Sequence, residues 1–301
     1  MYLEHFGLKE FPFTITPDTE FFFSSEVSQE ALNTLLIAVR TGEGFIKITG
    51  EVGTGKSMLC RKLMASLSSD FKVAYIPNPY LEPDALFMEL AAELEIELDT
   101  ETLAKHQLLR AIKERLLRLH NEGRRVVVCL DEAQAMPIET LEALRLLSNL
   151  ETEKRKLLQV IIFGQPELEA KLNHPSIRQL KQRIAFEYCL SPMGRDEIDY
   201  YIQHRLSVAG HRGTRVFTRP AMWLLKLRTK CVPRLVNIVA HKALLSAYGR
   251  GRNAVTFWDV NAAVNDTASL GNVESKFRFI FLLLMLFGST SLLLIDKGYF
   301  R

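Results

Sequence analysis

Two short stretches of this 301-residue chain carry residue types that could handle a phosphate ester. The first, GEVGTGKSM, contains Gly50, Glu51, Val52, Gly53, Thr54, Gly55, Lys56, Ser57 and Met58, with Gly50, Gly55, Lys56 and Ser57 spaced as GxxxxGK[ST]. Glycines let backbone N–H groups close in on phosphate oxygens, and the start of a following helix adds partial positive charge. In that arrangement Lys56 reaches the β- and γ-phosphates of ATP, and the Ser57 hydroxyl ligates Mg²⁺. The second stretch, VVVCLDEAQ, ends an apolar run on Asp131 and Glu132. Asp131 can hold Mg²⁺ through its water shell, and Glu132 can orient and polarise an attacking water. A protein that only bound nucleotide would not need Glu132, so the pair points to hydrolysis.

These groups must be held by strands and helices, and the sequence supplies both in alternation. GFIKITG predicts a short strand feeding the glycine loop, and SMLCRKLMASL predicts a helix leaving it. KVAYIPN, RRVVVCLDEAQ, KLLQVIIFGQPEL and AFEYCL predict four more strands. The continuous apolar runs among them suit a parallel sheet covered on both faces. Helices are expected over 83–98 and 103–120 and in SQEALNTLLIAVRTG, IETLEALRLLSNLE and SIRQLKQRI. After SPMGRDEI the strands stop, and four helical stretches follow. The expected class is α/β: residues 1–45 as an aromatic arm and first helix, 46–190 as a P-loop parallel-sheet domain, and 191–270 as a helical lid.

Composition is ordinary for a globular chain, at 48% hydrophobic, 24% charged and a net charge of +3. That charge by itself does not imply nucleic acid. Its distribution is uneven: residues 195–252 hold twelve Lys/Arg against three Asp/Glu, a balance of +9, whereas 82–122 sum to −5. Cys60, Cys129, Cys189 and Cys231 are never spaced as CxxC and read as reduced core thiols. The N-terminus shows no signal-peptide pattern, so the bulk of the chain is expected in the cytoplasm.

The end of the sequence is different. Residues 279–295 are 17 in a row without a charge, roughly 25 Å as a helix against a hydrocarbon core of about 30 Å. A transmembrane helix is expected over 277–296, with a short tail over 297–301. Lys276 and Arg278 before it balance Lys297 and Arg301 after it, so charge sets no orientation. The N-terminal nucleotide domain does, because it needs cytosolic ATP.

With these pieces in order, the chain resembles the AAA+ ATPases and, more narrowly, the general secretion pathway protein A family, most like its short MSHA-type pilus-biogenesis members. The resemblance rests on FGLKEFPFTITPDTEFFF, GFIKITGEVGTGKS, VVVCLDEAQ, IIFGQPEL, LKQRI, YIQHRLSVAG and PRLVN. It implies a sensor-1 role for Gln165 at the γ-phosphate or water. It implies an arginine finger at Arg183, offered in trans to a neighbouring subunit, with Arg178 as the alternative. Arg234 matches sensor 2, reaching from the lid to the γ-phosphate, although the sequence reads CVPR where the family favours a glycine before xPR. The aromatic arm, with Phe6, Phe11, Pro12 and Phe13, could line an adenine pocket or serve as a packed strap.

The longer members are expected to carry a cell-wall-binding domain beyond the span. A chain without one is expected to fall in the pilus-type branch. The resemblance thus implies a ring-forming ATPase anchored in the bacterial inner membrane that assembles a type IV pilus or secretion complex, with pilus or secretin proteins as partners. The alternative is a DNA-associated ATPase of the transposition or replication-initiation type. A DNA-binding module is not evident, so nucleic acid is the weaker expectation.

Overall fold

The computed structural model describes residues 2–97, 105–148, 150–151, 156–268 and 270. The expected span 277–296 and tail 297–301 lie outside the described residues. Among the described residues, no helix is long and apolar enough to cross a membrane. The chain divides into two compact units: residues 15–205 with 232–234, and the described parts of 1–14, 206–231 and 235–301.

The first unit is built on five parallel strands: β1 (Phe45–Gly50), β2 (Phe71–Ile76), β3 (Arg125–Leu130), β4 (Leu158–Gly164) and β5 (Ile184–Leu190). Their order across the sheet is β2-β3-β4-β1-β5. Period-two alternation sends neighbouring residues to opposite faces, and both faces are covered. Val126, Val128 and Leu130 of β3 join one core with Leu86, Phe87 and Leu90 of α4 (Pro83–Glu93), together with α5 (Lys105–Asn121) and α6 (Ile138–Ser148). Val127 and Cys129 face the other way, onto Leu35 of α2 (Glu26–Thr41) and Leu59, Cys60 and Leu63 of α3 (Lys56–Ser66). Strand β5 lies at the edge and alternates between half-buried and exposed residues.

Local chemistry sets the helix limits. Ser25 caps α2 by accepting the Ser28 N–H at 3.2 Å, and Gly42 ends it in the left-handed region at φ 90°. Two expected elements differ. The strand in KLLQVIIFGQPEL stops at Gly164, because Pro166 has no N–H to give a ladder and instead starts the short helix α7 (Glu167–Leu172). SIRQLKQRI folds as a 3₁₀ turn, Pro175–Ile177, and one helical turn, α8 (Arg178–Lys181). Arg183 lies beyond that helix, because Ile184 is already paired with Phe45 of β1. Cys189 is also corrected: Cys60, Cys129 and Cys231 are buried, but Cys189 is exposed on the edge strand.

The second unit contains α1 (Tyr2–His5), the last residues of α9 (Glu197–Val208), α10 (Arg219–Thr229), most of α11 (Pro233–Gly249) and α12 (Phe257–Asn265). A capping box joins Thr256 and Asp259 at the start of α12. Residues 2–14 belong here, apart from the rest of the 1–45 segment. Lys9 donates its N–H to the Ala209 carbonyl at 2.8 Å, and Tyr2 Oη lies 3.0 Å from His241 Nδ1. Phe6 and Phe13 are buried, and Phe13 meets Phe217 edge-on at 6.1 Å. Phe11, between them in sequence, is exposed.

Candidate nucleotide site

Because β4 lies between β1 and β3, the carboxyl ends of these three strands adjoin. Open α/β sheets bind ligands at that edge. The glycine loop leaves β1, Asp131 follows β3, and Gln165 follows β4.

The loop runs from Gly50 into α3. Gly55 stands at the N-cap of α3 with φ 106°, and no side chain caps this helix. Its first N–H groups are therefore left for a ligand, unlike those of α2, where Ser25 accepts one. Glycine is required at position 50, since an added Cβ would lie 2.6 Å from the Leu190 carbonyl oxygen. Thr54 steadies the turn by donating its hydroxyl to the Glu51 carbonyl at 2.9 Å. Val52 is half exposed at the tip, and Met58 is partly buried in the first turn of α3. Lys56 is buried, and its Nζ donates to the Gly50 and Glu51 carbonyls at 2.7 and 3.0 Å. Burial pulls the Lys56 pKa down, while the charges of Glu132, Asp131 and Glu51 oppose that shift.

Asp131 is also buried, and its N–H donates to the Ile76 carbonyl at 3.1 Å. Its Oδ1 accepts the Glu132 N–H at 3.0 Å. Burial pushes its carboxyl pKa up, and a hydrogen bond from Ser57 is the main opposing influence. This Asp–Ser pair fits Mg²⁺. Among the described residues, no group of three His, Cys, Asp or Glu could hold a metal ion unaided. An ion held by Asp131 and Ser57 would therefore complete its shell with phosphate oxygens and water, the usual habit of Mg²⁺.

Glu132 has φ 53°, the left-handed region that a non-glycine residue occupies at a cost of about 1–3 kcal/mol. Its Oε2 accepts the Gln165 side-chain amide at 3.1 Å. Arg234, in the first turn of α11, donates its N–H to the Gly53 carbonyl at 3.1 Å, and its side chain is exposed.

Residues 39–172 match the AAA domain family. Over that stretch, which is under half of its length, the chain is similar to AAA domains. It is related to general secretion pathway protein A of Aeromonas hydrophila, at 39% identity over 270 residues, or 90% of this chain. That stretch is 49% of the relative, so the chain spans about half of that protein's length. Among solved structures, Cdc6p from Pyrobaculum aerophilum matches with a TM-score of 0.67 at 20% identity, covering 83% of this chain and 71% of that one. The Aeropyrum pernix ORC1 protein in complex with DNA matches at 0.60 and 16% identity, covering 84% and 68%. At such identities the likeness is one of fold alone, a parallel sheet covered by helices.

The first unit brings together the loop 50–58, Asp131, Glu132, Gln165 and the backbone of Arg234. It does not group Arg183 or Arg178 with them. Both are exposed, on the turn before β5 and at the start of α8, and the Arg183 charge acts on Glu151. The sequence reading passed over Gln134. Its side-chain amide donates to Glu132 Oε2, and its oxygen accepts the Gln165 N–H at 3.0 Å. Its only signal in the sequence was its place two residues after Glu132. The glycine missing from CVPR also has a structural counterpart, since Cys231 adopts φ 59°.

Proposed function

We propose that the chain is an ATP-hydrolysing AAA ATPase, anchored in the bacterial inner membrane through 277–296, that drives assembly of a type IV (MSHA-type) pilus or a related secretion complex. The supporting observation is that Lys56, the Asp131–Ser57 pair and the Glu132–Gln165 pair converge on one sheet edge around an uncapped helix start. In this reading Lys56 leaves its two loop carbonyls for the β- and γ-phosphates. Bound Mg²⁺ supplies charge neutralisation on the phosphate oxygens. Glu132 takes the proton from the attacking water while Gln165 holds the carboxylate. Arg234 reaches the γ-phosphate from the first turn of α11, and Arg183 completes the site of a neighbouring subunit in a ring.

Two variants test the site. Lys56→Ala is expected to weaken ATP binding by about 100-fold or more, losing charge-assisted bonds of roughly 1.5–3 kcal/mol each. Glu132→Gln is expected to bind ATP normally and to lose at least about 100-fold in kcat. Normal turnover by Glu132→Gln would remove Glu132 as the base. For the anchor, the full chain is expected in the membrane pellet after alkaline extraction, and a chain lacking 277–296 in the supernatant.

A second reading, a DNA-associated ATPase, draws on the +9 balance of residues 195–252. It predicts retention on duplex DNA that falls steeply with salt. Absence of salt-sensitive retention by the full chain in detergent would dismiss it.

A further inference from the structure

The Glu132 carboxylate is tied down on one side only. Its Oε2 accepts from both Gln134 Nε2 and Gln165 Nε2, whereas Oε1 takes no hydrogen bond among the described residues. Gln134 also closes a loop, because its Oε1 accepts the backbone N–H of Gln165. The carboxamide can face only one way here: its oxygen must meet the N–H of Gln165, and its NH₂ must meet the carboxylate. The result is a hydrogen-bonded ring of three residues across the ends of β3 and β4, over a sequence separation of more than thirty.

We infer that Gln134 is a positioning residue for hydrolysis, fixing Oε2 of Glu132 so that Oε1 is presented to water. It also ties this orientation to the main chain at Gln165. The inference rests on the reading of Glu132 as the base. Glu132 needs such a clamp because its backbone sits in the left-handed region, where the ordinary pull on a non-glycine residue is to leave it. The link to Gln165 adds a consequence. Movement of the residue expected at the γ-phosphate shifts the N–H that orients Gln134, and Gln134 shifts the carboxylate. No other side-chain type of this length both donates and accepts at its tip in this geometry while staying uncharged.

The test uses the full chain in its assembled form. Gln134→Met keeps the length and removes both hydrogen bonds. Its kcat is expected to fall roughly 10- to 100-fold, the effect of a misplaced catalytic group, with the Kd for a non-hydrolysable ATP analogue changed less than about twofold. Gln134→Glu keeps the acceptor for Gln165 but sets a second carboxylate against Glu132. Its kcat deficit is expected to shrink as pH falls and the added carboxyl regains a proton to donate, a pH profile that loss of packing would not produce. The double variant Glu132→Gln/Gln134→Met is expected to turn over no more slowly than Glu132→Gln alone. Wild-type kcat in Gln134→Met, or losses that simply multiply in the double variant, would overturn the clamp. Wild-type kcat in Glu132→Gln would instead overturn the base on which the clamp acts, so the two failures are distinct.

Discussion

The backbone N–H of Arg234 donates to the carbonyl of Gly53, and a Cβ on Gly53 would lie 2.5 Å from the Cβ of Arg234. Gly53 and Arg234, which belong to the same unit, therefore meet backbone to backbone, with no space for a side chain.

Gly53 has φ 83°, so alanine there meets both a collision and a left-handed backbone. Gly53→Ala is expected to lose about 1–3 kcal/mol of stability and to weaken ATP binding. Thermal unfolding and titration with a fluorescent nucleotide would read the two effects.

Two consecutive non-glycine residues, Lys230 at φ 49° and Cys231 at φ 59°, connect α10 to α11. Lys230 is exposed at the C-cap of α10. Lys230→Gly is expected to gain about 0.5–1 kcal/mol in urea unfolding by relieving the left-handed strain. Cys231 is buried, so Cys231→Gly gives up about as much apolar burial as it gains in backbone freedom and is expected to be near neutral.

Asp131 couples pH to stability. A carboxyl whose folded pKa is raised destabilises the fold above that pKa, where it is charged. That cost disappears as pH falls through the raised value and the folded state takes up a proton. Asp131→Asn is thus expected to raise the Tm of the nucleotide-free protein at neutral pH. Its advantage should shrink on acidification towards about pH 4. The same variant should lose Mg²⁺-dependent nucleotide binding. A constant Tm difference across that range would contradict the burial argument.

Arg183 can be tested by mixing. Arg183→Ala and Glu132→Gln are each expected to lose at least about 100-fold in kcat. If Arg183 serves a neighbouring subunit, co-assembly of the two inactive chains restores turnover at interfaces where an intact Glu132 meets an intact Arg183. Mixtures as inactive as their parts would assign Arg183 to its own exposed surface.

The sequence by itself determined the strands, the phosphate loop and the acidic pair. These depend on contiguous residues: the loop uses successive N–H groups, and β-branched apolar runs make covered strands with few alternatives. The family resemblance, not spacing alone, pointed to Gln165 and Arg234. The sequence reading misjudged Pro166 and the SIRQLKQRI segment because a proline and a strand register, each acting over only a few residues, overrode helical or strand periodicity. Tertiary structure alone decided that β4 lies between β1 and β3, which brings Gln134, Glu132 and Gln165 into one ring, and, separately, that Gly53 lies against Arg234. It also assigned residues 2–14 to the helical unit. Such pairings depend on which distant segments share a sheet edge or a helix start, and side-chain hydrogen bonds only a few ångströms long record that choice after the chain has folded.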